Sequence, residues 1–264
     1  MRFRLRLLAA GAALALTMQA QAQGARDIPR LSDGKPDFSG VWQAMTTANW
    51  NILTHGASAG PPQFGALLAT PPGRGIVEGD EIPYLPEAAA QQRRNYEARW
   101  TDDPEAKCFM PGLPRANYMP YPLQIFHSEG HMLFAYQFAG TARIINLDDH
   151  QPSAIDSWMG VSNAHWEGDT LVVDVSGFNG QAWFDRAGNH ASYRLHVVER
   201  YTLDGPDAID YEATIEDPLT FSRPWTLSFR LYRHADPAAH LMEFKCVPFT
   251  EELLYGEYYK RPAE

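Results

Sequence analysis

From residue 123 onward the chain breaks into short strand-length runs between turn residues. Apolar-rich runs, in part alternating with polar positions, occupy Leu123–His127, His131–Phe138, Ala142–Leu147, Val161–Trp166 and Thr170–Val175. The pattern continues through Ser192–Tyr201, Ile209–Glu216, Trp225–Arg233 and His240–Val247. Successive side chains of a strand face opposite ways, so each run offers one face to a core and one to solvent. Ser128-Glu129-Gly130 and Glu167-Gly168-Asp169 separate neighbouring runs and predict hairpin turns. With a further strand opening at Gly40, about ten strands are expected, at the spacing of an antiparallel barrel or sandwich.

The fold expected is a single all-β domain: a lipocalin-like antiparallel β-barrel with one peripheral helix and a long Pro/Gly-rich flap. A two-sheet sandwich is the alternative. Asp37-Phe38-Ser39-Gly40-Val41-Trp42 leads into the first strand, and its Gly-x-Trp resembles the opening of lipocalin-type barrels, where the indole closes the floor. Two regions leave the period-two pattern. Pro86 to Trp100 (PEAAAQQRRNYEARW) places Pro in a first turn and good helix formers after it, which predicts a helix. That helix is polar on most faces and belongs outside the barrel. Thr46 to Pro83 is rich in Gly, Pro, Ala and Thr, and a loop of that length reads as a flap over one end. Thr101 to Tyr121, with its four prolines, is an extended connector, and 251–264 a terminal turn and arm.

The first 22 residues stand apart. Arg2, Arg4 and Arg6 precede an apolar stretch from Leu7 to Met18, then Ala20-Gln21-Ala22 reads as a cleavage site. This is the pattern of a signal peptide at 1–22, which leaves 23–264 as the barrel domain and predicts a periplasmic or secreted protein. The apolar stretch is too short to cross a bilayer, so no membrane insertion is expected. A net charge of -10 disfavours nucleic acid as a partner. In an exported compartment Cys108 and Cys246 pair by default into a disulfide bond, two buried thiols being the alternative.

Candidate chemistry gathers between Ser157 and Tyr201, a stretch with three of the seven tryptophans and three of the nine histidines. His196 is the first candidate for general acid/base work, with Asp185 to orient it. Period two places Tyr193, Leu195, Val197, Glu199 and Tyr201 on one face of the last run and Arg194, His196 and Arg200 on the other; this strand alone leaves open which face lines the interior. A carboxylate buried at Glu199 needs a partner, and Arg143, Arg200 and Arg230 are the candidates. Arg143 or Arg200 would also stabilise developing negative charge. Trp158, Trp183, Tyr136, Phe178 and Trp225 are candidate walls for a flat or apolar ligand, with His190 beside them. Trp183 near Asp185 would raise the carboxyl pKa by desolvation. His127 and His131 have metal-ligand spacing only on a helix, and here they flank a hairpin turn, so no metal is predicted. Absent glycine motifs for phosphates or dinucleotides argue against a nucleotide, and no cofactor is expected.

Taken together, PDFSGVW, the Cys108-x-x-Pro-Gly-x-Pro-Arg segment, SWMG, WEGDTLVVD, GFN, WFDRAG and LHVVER resemble a family of exported β-rich proteins of environmental Gram-negative bacteria. The resemblance runs from about Asp33 to Cys246 and implies a secreted β-rich domain of this size, with no activity attached. It departs at Asn189-His190-Ala191-Ser192, where similar sequences read Asn-Pro-His-Ser; the family's histidine falls on Ala191, and His190 sits one place early.

The function expected from these residues is a small-molecule-binding barrel acting as a cofactor-independent lyase, hydratase or isomerase on a small apolar or aromatic ligand. His196, Asp185, Glu199, Arg143 and Arg200 would be its polar set. A carrier using the same pocket without turnover is the first alternative, and an envelope interaction module the second.

Overall fold

A computed structural model describes residues 27–62 and 68–250. The strands close into one nine-stranded barrel: β1 (Gly40–Ala44), β2 (Leu123–Ser128), β3 (His131–Tyr136), β4 (Ala142–Asn146), β5 (Val161–Glu167), β6 (Thr170–Ser176), β7 (His196–Leu203), β8 (Ala208–Glu216) and β9 (Trp225–Arg233). Neighbours in sequence are neighbours in space, and β1 closes the ring against β9 through Trp42↔Arg233. The expected signal peptide and the 251–264 tail lie outside the described residues.

Three expectations need correction. The barrel is mixed, because β4 and β5 run parallel through Ile145↔Ser162 and Asn146↔Asn163. A parallel neighbour needs a crossover, which the 147–160 connection supplies. His240–Val247 is not a strand: β9 already pairs with β1, so the closed ring has no edge left to extend. Finally, β7 starts at His196 and not at Ser192, because the Ser192 backbone N–H and hydroxyl both donate to Asp217 (2.6 and 2.9 Å) and hold that stretch in a turn.

Burial follows the alternation. On β7 the side chains of Val197, Glu199, Tyr201 and Leu203 turn inward, while His196, Val198, Arg200 and Thr202 face out. The inward positions are filled. Trp42, Phe134, Tyr201, Leu227 and Leu231 keep 0% of their surface and Tyr211 1%, which leaves no room among them for a guest.

The Gly40-x-Trp42 opening has a physical reason. The Trp42 indole N–H donates to Phe38 O at 2.8 Å, and the Arg233 guanidinium lies 4.1 Å over its ring. Gly40 has φ +135°, and a Cβ there would stand 2.1 Å from Arg233 Nη1, so only glycine lets the arginine reach the indole.

The predicted helix is α1 (Pro86–Glu97), with a one-turn continuation, α2 (Arg99–Asp102). Its start follows from Pro86 in the first turn. α1 is pinned to the loop before β7 by Gln92 Nε2 donating to Ala187 O (2.8 Å) and Asn95 Nδ2 donating to Gly188 O (3.1 Å). Cys108 and Cys246 form the expected disulfide, with Cα atoms 5.5 Å apart, and it ties the chain after β9 to the turn after α2. Among the described residues no helix is long and apolar enough to cross a membrane.

Candidate functional site

The residues singled out in the sequence divide into four places. Glu199 and Arg143 meet inside the barrel, where Arg143 Nη2 donates to Glu199 Oε2. Glu199 Oε1 accepts from Asn117 Nδ2 (2.9 Å), the Tyr201 hydroxyl (3.0 Å) and the Tyr211 hydroxyl (2.8 Å). Arg143 Nε donates to Ser162 Oγ at 2.7 Å, and the Tyr136 hydroxyl donates to Asn117 Oδ1 at 2.9 Å. Burial opposes a charge on Arg143, but Glu199 holds it firmly protonated, and burial pushes the Tyr136 phenol up. Asn117 comes from a single 3-10 turn, Arg115–Tyr118, that plugs the barrel. Each carboxylate oxygen is already bonded, so this cluster holds the interior together and presents no open face to a substrate.

His196 and Arg200 stand on the outer wall. His196 Nε2 meets Asp174 Oδ2 at 2.7 Å and its Nδ1 lies 3.6 Å from Glu216, while Arg200 Nη2 donates to Glu167 Oε2 at 2.8 Å. The expected His196–Asp185 pair is therefore corrected: the inward places of β7 belong to Val197 and Glu199, which turns the imidazole outward to other carboxylates. The interior role expected for Arg200 is corrected for the same reason.

Asp185 lies fully buried in the loop before β7. Its Oδ2 accepts from the Ile52 N–H (2.8 Å) and Asn189 Nδ2 (2.6 Å), and its Oδ1 from the Asn189 N–H (3.1 Å). Burial lifts this carboxyl to about 6, against the pull of those donors and of Arg115. Around it runs an ion network: Arg115 grips Asp103 (2.9 and 3.0 Å) and Glu105 (3.1 Å), and Arg186 grips Glu105 (2.6 and 2.7 Å). Burial works to raise the Glu105 carboxyl, but Arg186 and Arg115 hold it below its ordinary value.

The expected aromatic walls do not converge on one pocket. Tyr136 belongs to the interior cluster, and Trp225 packs edge-on to Phe184 and Phe221 (5.7 and 5.4 Å). Phe178 and Trp183 are buried, Trp158 stacks on Phe109 at 4.9 Å, and His190 stacks on Tyr84 at 5.7 Å, where burial lowers the imidazole pKa. These rings fill space between elements.

A cleft that the sequence did not single out lies on the other side of Arg186. Its volume is about 170 Å³, and its walls include Trp50, His55, Tyr96, Arg99, Trp100 and Arg186. Arg186 lies 4.5 Å over the Trp50 ring, and Arg99 sits 3.9 Å over Tyr96 and 4.8 Å over Trp100. Three segments build it. Tyr96, Arg99 and Trp100 come from the end of α1 and from α2. Arg186 comes from the WFDRAG stretch, whose backbone N–H donates to Asn49 O at 2.9 Å. Trp50 and His55 come from the expected flap, which Asp185 anchors through Ile52 and which pairs with itself at His55↔Gly73 and Ser58↔Thr70. His55 Nδ1 lies 2.7 Å from Leu53 O, and its Nε2 is buried with no partner among the described residues. The signal for this site was Tyr96 and Trp100, four residues apart on an otherwise polar helix and therefore on one face.

Two further hollows lie among the described residues. One, of about 490 Å³, is an open basin on the outside of β7–β9, whose Arg200 and Arg230 already pair with Glu167, Asp204 and Asp210. The other, of about 190 Å³, lies under the segment that the disulfide fastens. Compared with known protein families and with curated proteins, the chain matches none.

Proposed function

We propose that this chain is an exported, periplasmic or secreted, small-molecule-binding barrel whose ligand is a small aromatic molecule held in the Trp50–Trp100 cleft. The observation that carries the reading is the wall itself: three aromatic rings and two guanidiniums around a space the size of one ring system. A cavity of about 150 Å³ holds a benzene, so 170 Å³ suits one ring with a substituent. The filled interior favours a site on the flank of the barrel over one at its centre. The Gly40-x-Trp42 opening under Arg233 supports a lipocalin-like architecture, and the disulfide fits an oxidising compartment.

Binding without turnover is the primary reading, because His196 and Asp185 do not meet. General acid/base catalysis is the second, favoured by one observation: His55 lines the cleft, and an imidazole can take and return a proton. Titrating the protein with toluene, indole, phenol and benzoate while following tryptophan fluorescence tests the site. Saturable quenching that Trp50→Ala and Trp100→Ala weaken supports it. No saturable change with any of the four rules it out.

A further inference from the structure

The cleft wall is rich in N–H groups and poor in acids. Arg99 donates only from Nη1, to Tyr96 O (2.6 Å), which leaves its Nε and Nη2 without an acceptor among the described residues. Arg186 commits Nε and Nη2 to Glu105 (2.6 and 2.7 Å) and leaves Nη1. Asn51 accepts the Leu53 N–H through Oδ1 (2.9 Å), while its Nδ2 and the indole nitrogens of Trp50 and Trp100 donate to none of the described residues. Unlike His55 Nε2, none of these donors is a buried atom lacking a partner, so they remain open to a molecule arriving from solvent. The chain has 32 acidic residues against 22 basic ones, yet no Asp or Glu is among the described residues that line this cleft. Arg186 has its charge balanced by Glu105, whereas Arg99 pairs with no carboxylate among the described residues. Arg99 is also held in place, 3.9 Å over Tyr96 and 4.8 Å over Trp100. Rings stacked in this way cover the faces of a guanidinium and leave its edges, where the N–H groups point, as the part that binds.

We infer that the cleft selects aromatic carboxylates over neutral or cationic rings of the same size, with the ring against the indoles and the carboxylate on the free edge of Arg99. The inference rests on the ligand site proposed above and names the class of ligand that site recognises. Arg99 is then its specificity-determining residue. A carboxylate there meets an unpaired cation with two parallel hydrogen bonds, and an amide offers that cation one neutral acceptor. An ammonium group brings a second positive charge and no acceptor at all.

Benzoate, benzamide, benzylammonium and toluene share one ring and differ in charge, and each is titrated by tryptophan fluorescence and by calorimetry. Benzoate should bind about tenfold more tightly than benzamide or toluene, and benzylammonium more weakly than either. Arg99→Gln should weaken benzoate by about tenfold and move benzamide by less than about twofold, and the retained benzamide response shows that the variant is folded. Benzamide or toluene binding to the unsubstituted protein as tightly as benzoate overturns the inference, and this comparison needs no variant to fold. An Arg99→Gln variant that keeps the full preference for benzoate overturns it too, since the carboxylate would then lie elsewhere. Binding of toluene, indole or phenol without benzoate overturns the inference and leaves the ligand site standing. If no aromatic binds, both fall.

Discussion

Arg143 on β4 and Glu199 on β7 form a buried ion pair across the inside of the barrel, and the polar atoms they do not spend on each other are met by tyrosines, an asparagine and a serine. Charges so enclosed are expensive to separate. Arg143→Met should cost about 3–5 kcal/mol, because it strands the Glu199 carboxylate, while Arg143→Met with Glu199→Leu should recover much of the loss. Urea unfolding of the two variants and the parent measures this, and equal loss in the single and double variants would contradict it.

Asp185 gives the fold a pH dependence whose sign follows from burial. Its carboxyl is raised from 3.8 to about 6. Between those values the folded chain keeps a proton that the unfolded chain has released, so this group's contribution falls as pH rises through that window. Two pKa units correspond to about 3 kcal/mol. The stability of the parent relative to Asp185→Asn should therefore drop by up to that amount between pH 4 and pH 7, as read from chemical unfolding curves at each pH. A difference that stays flat or grows contradicts it.

On the outer wall, His196 meets Asp174 and Glu216 with about a third of its side chain exposed (34%). Pairs of this kind add little to stability. His196→Ala should change unfolding free energy by less than about 0.5–1 kcal/mol and leave aromatic binding intact. A lost ligand response in that variant would return the site to β7.

The Cys108–Cys246 bond spans 138 residues. On the chain-entropy argument, closing a loop of this length stabilises the fold by up to about 5 kcal/mol. Cys108→Ser with Cys246→Ser should lower the melting temperature, and adding a reducing agent to the parent should lower it by a similar amount. An unchanged melting temperature in the double variant would mean that the bond constrains only a local segment.

The barrel was legible because period-two alternation reports faces directly: Val197, Glu199 and Tyr201 fell on one side of a strand, and Arg143 was among the partners that a buried Glu199 required. Alternation carries no information about direction, so the parallel β4–β5 pair was hidden, as was the fate of His240–Val247 once β9 had found β1. The site was hidden for another reason. It is assembled from a loop, the last turn of a helix and a bend, three segments with no common period, and only folding brings Trp50, Arg99 and Arg186 to one place. His196 and Asp185 attracted notice for their chemistry, and main-chain geometry sent them in different directions.

The join between β4 and β5 rests on two residue pairs, and Arg143 to Ser162 and Asn146 to Asn163 cross it as side-chain stitches (2.7 and 3.3 Å). Elsewhere the wall is laced by longer runs of backbone pairing. Here a short backbone ladder is reinforced by side chains that a single codon change removes. The cylinder thus has a placket, a line along which it can be unbuttoned by mutation while each panel stays whole, and amide exchange in β4 and β5 is where its loosening would first be seen.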